Sequence, residues 1–178
     1  MNQLVNNKFS KLESSRILLL EKLSKVSAAI LETPPSAGKW SISQIFYHQN
    51  KAERLSVLYV SKKQLDIANL KRTGLMEQLK MIVLKIRFRL PMGLKAPVNV
   101  LGDVPAEVSY QQIIAEWKET RDKMKNLLEA IPDDILYKNV FKQPAIGRIN
   151  IFQMLDFMQA HFDRHQKQVE RIIGSPLS

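Results

Sequence analysis

The chain has no cysteine among its 178 residues. That absence excludes disulfides, a thiolate nucleophile and cysteine-held metal together, so any bound metal must be held by nitrogen and oxygen. Glycine is scarce, with six in all, and neither a glycine-rich phosphate loop nor a G-x-S-x-G elbow occurs. Kinase, dinucleotide-binding and serine-hydrolase readings therefore have nothing to rest on. Long hydrophobic runs are missing too: the apolar stretch from Ile17 to Leu20 is too short for a signal segment or a membrane span. A cytoplasmic protein with no membrane partner is expected.

Acidic residues are outnumbered, 17 against 27 lysines and arginines, for a net charge of +10. A basic surface attracts phosphate without sequence preference. The basic residues are dispersed, however, and neither helix-turn-helix glycines nor an aromatic RNA-binding motif stands out, so no specific nucleic acid is expected. One local excess lies between Asp66 and Lys95, where Lys71, Arg72, Lys80, Lys85, Arg87, Arg89 and Lys95 face only Asp66 and Glu77.

With 45% apolar residues the chain is long enough for one domain with a substantial core, covering 1–178. Four segments carry a helical period. Val5, Phe9, Leu12, Leu19, Leu23, Val26 and Ile30 form the first, ended by Pro34-Pro35. Ile45, His48, Ala52, Leu55 and Tyr59 trace the second, and Ile113, Trp117, Met124, Leu127, Leu128 and Ile131 the third, stopped by Pro132. The fourth runs from Ile151 to Ile173, with Gly174 and Pro176 as stop signals. Three starts repeat one device, since Ser41 with Gln44, Ser109 with Gln112 and Asn150 with Gln153 each allow a reciprocal capping box. Apolar pairs flank them as staples: Trp40 with Ile45, Val108 with Ile113, and Ile149 with Met154.

The link between the second and third segments holds a further amphipathic stretch, with Leu79, Ile82, Val83, Ile86 and Leu90 on one side. Pro91, Gly93, Pro97, Gly102 and Pro105 then punctuate it. A connection this long can cross the end of a bundle. Its basic residues, Arg87 and Arg89 among them, are expected to wall a pocket for an anionic or amphipathic substrate, to form a dimer contact, or merely to cover the core.

All three histidines fall where helices could share one metal. His161 and His165 are four apart and project from one helix face, and His48 could complete a three-nitrogen set from another helix. Such a set leaves coordination positions open, as catalytic zinc sites do. Random placement of three histidines gives a pair four apart only about 3% of the time. Spacing alone still leaves the other reading, buried histidines with ordinary hydrogen-bond partners. Gln168, three residues after His165, is placed either to accept a hydrogen bond from a ligand ring or to lie on the surface as an ordinary polar residue. Glu53 is turned about 140° from His48, and Asp156, Asp163 and Arg164 sit off the shared face or near its edge. Trp40, Trp117, Met154 and Met158 read as staple and core residues.

The blocks GKWSISQIFYHQ (Gly38 to Gln49), APVNV (Ala96 to Val100) and QPAIGRINIFQMLDFMQAHFDRHQKQ (Gln143 to Gln168) resemble the DinB/YfiT-like superfamily of four-helix metal-dependent enzymes. The resemblance implies an all-α four-helix bundle with a long helical crossover between helices two and three, often dimeric. His48, His161 and His165 match the family's metal ligands, with zinc or nickel as the ion. Some members carry a histidine where Gln143 stands here, so no fourth ligand is expected from that segment. Members with assigned activity include transferases that attach or use low-molecular-weight thiols and an isomerase that depends on one. The reading that follows is a divalent-metal-dependent hydrolase or small-thiol-dependent transferase acting on a small molecule, as a homodimer. The alternative is a non-enzymatic helical bundle for protein interaction or ligand sensing.

Overall fold

A computed structural model describes residues 1–63, 70–89 and 104–174. Four long helices, α1 (Gln3–Leu23), α3 (Ile42–Lys63), α5 (Tyr110–Ala130) and α6 (Ile151–Ile173), build a four-helix bundle, joined by a short α2 (Ala28–Glu32) and by α4 (Leu75–Arg89) in the crossover. Strands β1 (Phe141–Gln143) and β2 (Gly147–Ile149) form a hairpin between α5 and α6. Helix α3 packs on α5 and α6, α1 on α6 and α5, and α4 on α6 and β2. The shared core draws Leu12 and Leu23 from α1, Ile45 and Phe46 from α3, and Trp117 and Met124 from α5; Met154 and Phe162 join from α6. Each fully buried large side chain contributes about 1.5–3 kcal/mol. Trp117, Met154 and Met158 thus lie in the core as their spacing predicts.

The first apolar run is not one helix. At Ser24 both the backbone N–H and the hydroxyl bond to the Glu21 carbonyl, at 3.2 and 2.6 Å, which closes α1, and Ser27 is extended before α2 begins. A serine that bonds back to a carbonyl competes with helix continuation. The break re-phases the pattern: Ile30 is exposed, and Leu31 takes the buried place.

Two of the three capping boxes form in full. Gln44 Oε1 accepts from Ser41 N at 2.9 Å while Ser41 Oγ accepts from Gln44 N at 3.1 Å, and Asn150 and Gln153 repeat the exchange. The third is half made. Ser109 Oγ meets Gln112 N at 3.5 Å, but the Gln112 amide turns to Glu116, and Tyr110 N is taken by Glu32 Oε1 at 2.7 Å. Gln44 has a further role, donating from Nε2 to the carbonyls of Pro105 and Ala106 at 2.7 and 3.1 Å and so tying the crossover's end to the start of α3. Gly174 ends α6 with φ of 70°, a conformation glycine adopts without steric cost.

Helix α4 buries a different face from the one its sequence suggests. Met81 and Leu84 are buried, with Phe88 half-buried beside them, whereas Leu79, Ile82, Val83 and Ile86 are exposed. Periodicity fixes the presence of an apolar stripe but not which of two stripes meets the core, and this helix has both. Leu90, Pro91, Gly93, Lys95, Pro97, Gly102, the Ala96-to-Val100 block, Asp66 and Pro176 lie outside the described residues.

The hairpin is not signalled by period, because three-residue strands are too short to show one. It pairs Phe141 with Ile149, Lys142 with Arg148 and Gln143 with Gly147. Gln143 Oε1 accepts from Ala145 N and Ile146 N at 2.6 and 3.0 Å, and Gly147 supplies a φ of 87°. The Gln143 side chain therefore builds the turn. Upstream, Thr73 N bonds Tyr137 O and Asn139 N bonds Lys71 O, setting Arg72 opposite Lys138 just before α4 begins.

Candidate metal centre

Helix α3, started by the Ser41 box, carries His48; α6, started by the Asn150 box, carries His161 and His165 one turn apart. The packing of α3 on α6 brings the three rings together. His161 Nε2 stands 3.1 Å from His48 Nε2 and 3.1 Å from His165 Nε2, and one ring nitrogen from each histidine lies within 4.8 Å of the others. Two nitrogens bound to one ion at ~2.1 Å are ~3.0 Å apart at a right angle and ~3.4 Å apart at a tetrahedral angle. Both 3.1 Å spacings fall between those limits, and the third pair lies within 4.8 Å.

The electrostatics point the same way. Burial lowers the His48 pKa to about 4. Burial also lowers His165, to about 3, with the His48 charge adding to it. His161 is held well below its ordinary range by desolvation, then by the charges of His165, His48 and Arg164. All three imidazoles are neutral at pH 7. His165 Nδ1 lies 3.1 Å from Gln168 Oε1, and because a carboxamide oxygen can only accept, Nδ1 carries the proton and Nε2 a lone pair. One N–H on His161 Nε2 can make a linear bond to only one of its two neighbours. A cation satisfies all three nitrogens at once, so this donor set fits a metal ion of the kind imidazole binds.

Aromatic rings clasp the site. Trp40 packs on His48 with centroids 5.1 Å apart, Phe157 stacks on His161 at 5.7 Å, and Phe88 of α4 reaches the same ring at 6.0 Å. Phe157 precedes His161 by four residues and is visible by helical spacing. Phe88 comes from the crossover, and no local signal links it to the histidines.

The other candidates have separate tasks. Glu53 points into the bundle, where it binds Arg121 and accepts from Trp117 Nε1 at 2.8 Å. Asp156 pairs with Lys8 and with Lys85, the latter at 2.9 Å; burial opposes its ionisation, but these lysines outweigh it and hold the carboxyl below its usual range. Asp163 accepts from Gln159 at 2.7 Å. A cleft between α1, α4 and α6 is lined by Lys11, Lys85, Phe88, Asp156, Ala160 and Arg164, among others, and by none of the three histidines. Arg87 is exposed and does not line that cleft, where Lys85 is the basic residue that α4 supplies; the Arg89 side chain lies outside the described residues.

The DinB superfamily matches residues 11–169. No curated protein matches the chain by sequence. Among solved structures, TT2238, a four-helix bundle protein, superposes with a TM-score of 0.54 at 16% identity, over 92% of this chain and 98% of its own. YfiT from Bacillus subtilis, described as a probable metal-dependent hydrolase with an unusual four-helix bundle topology, gives 0.53 at 14% identity, over 99% of this chain and 91% of its own. At such identity the likeness shows the fold.

Proposed function

This chain belongs to the DinB superfamily, and from that premise we propose that it is a divalent-metal-dependent enzyme acting on a small molecule, with His48, His161 and His165 as the ligands. The observation that carries the proposal is the convergence of three neutral imidazoles whose Nε2 atoms stand 3.1 Å apart in two pairs. Zinc or nickel suits an all-nitrogen set. When bound, such an ion supplies Lewis acidity that activates a water or a thiol at neutral pH. A thiol would come from a cosubstrate, because the chain has no cysteine. This leaves hydrolysis and thiol-dependent transfer as the two reaction types.

The protein's own contribution is order. Gln168 fixes the tautomer and tilt of His165, while Trp40, Phe157 and Phe88 hold the rings and limit water around them. A cytoplasmic homodimer of single-domain chains completes the proposal.

Elemental analysis of protein purified without a histidine tag tests it. One zinc or nickel per chain is expected, with His161→Ala losing it while circular dichroism still reports a folded bundle. Full occupancy in that folded variant, or no uptake of either metal by the wild type, would rule the assignment out.

A further inference from the structure

Helix α4 is apolar on two opposite faces. Met81 and Leu84 face the bundle, while Leu75, Met76, Leu79, Ile82, Val83 and Ile86 are between 50% and 83% exposed. At 100° per residue these six occupy one arc centred opposite the buried pair. Contiguous exposed apolar patches on this scale mark interaction surfaces.

Among the described residues of α4, the exposed charges are basic. Lys80 and Arg87 are exposed along one border of it, and Lys71 and Arg72 are exposed just before the helix. Arg72 stands opposite Lys138, and Lys142 opposite Arg148 on the hairpin against which α4 packs. Like charges directly opposite on paired strands are destabilising. Of the nearby acids, Glu77 accepts from Gly74 N, and Asp134 approaches Lys138 at 3.8 Å and offsets part of the Arg72–Lys138 charge. A like-charge pair just before α4, another on the hairpin it packs against, and the exposed aliphatic stripe together suit something both apolar and anionic.

We propose that α4 and the adjoining hairpin dock onto an anionic phospholipid bilayer, with the stripe entering the headgroup boundary and the basic residues meeting lipid phosphates. Charge complementarity selects this occupant. A second copy docking through the same face would set Arg72, Lys80, Arg87 and Arg148 of both chains against one another. A nucleic acid would suit the charges but gains little from a stripe without an aromatic ring. A helix lying in the interface needs an apolar face and a basic rim rather than a span, and no described helix is long and apolar enough to cross a membrane. The expectation of no membrane partner rests on that missing span and on the dispersal of the basic residues along the sequence.

Sedimentation of the full chain with vesicles of phosphatidylcholine, with or without phosphatidylglycerol, tests the proposal. Binding is expected only to the anionic vesicles and should weaken with salt. Replacing Lys80, Arg87 and Arg148 with glutamine should weaken it on the order of 100-fold. Ile82→Ser with Ile86→Ser should weaken it at least about tenfold, with circular dichroism unchanged. No binding to anionic vesicles would overturn the proposal, as would binding lost with the charges but indifferent to the two isoleucines. So would a light-scattering mass that falls from dimer to monomer in the isoleucine variant, which would assign the face to a second copy.

Discussion

Arg121 of α5 meets Glu53 of α3 at two points inside the bundle, Nε to Oε2 at 2.7 Å and Nη2 to Oε1 at 2.8 Å. The two residues are 1% and 3% exposed, and Trp117 Nε1 completes the carboxylate's partners. Arg121 Nη1 also reaches Glu13 of α1 at 3.3 Å, so one guanidinium links three helices. Breaking a buried pair strands a charge, which costs far more than removing both partners. Arg121→Met should therefore lose about 3–5 kcal/mol. Adding Glu53→Leu should recover much of it. Urea melts of the single and double variants measure this, and simple additivity of the two losses would show that the pair is not coupled.

Gln168 offers a milder probe of the proposed metal site. Gln168→Leu removes the acceptor that holds His165 Nδ1–H but leaves three imidazoles in place. Metal affinity should fall about 10–100-fold with the fold intact, read by competition with a chromophoric chelator. Unchanged affinity would deny Gln168 any part in ordering the ligand.

Acid should destabilise the metal-free protein through these histidines. Unfolded imidazoles titrate near 6.5, whereas folded His48 does so at about 4 and His165 at about 3. Between those values the unfolded chain binds the extra protons, so stability is full above 6.5 and drains as pH falls toward 3. Each such group can contribute about 1.4 kcal/mol per pH unit. Thermal melts of chelator-treated protein should drop more steeply across this window than those of His48→Leu. Parallel curves would contradict the depressed His48 value. Asp156, also lowered, acts only below its ordinary 3.8, so the comparison is read between 6.5 and 4.

The capping boxes should differ in worth. Ser41→Ala removes a complete exchange at the start of the His48 helix and should cost about 1 kcal/mol. Ser109→Ala should cost less, since its bond is long at 3.5 Å and Glu32 already satisfies Tyr110 N. Urea midpoints compare the two; a larger loss at Ser109 would reverse the ranking.

Where sequence and structure agree, a local signal with one meaning is responsible. Pro132 and Gly174 end helices, the three S/N-x-x-Q patterns begin them, and His161 and His165 share a face because four residues make about one turn. Gln168 was within reach of the same reasoning. What was not legible depends on choices that tertiary packing makes. Ser24 divides an unbroken apolar period, and α4 carries two stripes of which the bundle uses the one holding Met81 and Leu84. The turn role of Gln143 needs a hairpin too short to announce itself. Phe88 reaches His161 across 73 positions of chain, and only the packing of α4 on α6 reveals it.

A capping box ordinarily accepts glutamate as readily as glutamine, because only a side-chain oxygen is needed. At Gln44 that interchange is closed. The amide oxygen serves Ser41, while the amide nitrogen holds the carbonyls of Pro105 and Ala106, and a carboxylate in its place would turn two attractions into two repulsions. Two glutamines in the same local motif therefore obey different substitution rules. Glutamate is compatible with the exchange that Gln153 makes with Asn150, whereas residue 44 must keep both halves of its amide for the helix bearing His48 to stay fastened to the returning chain.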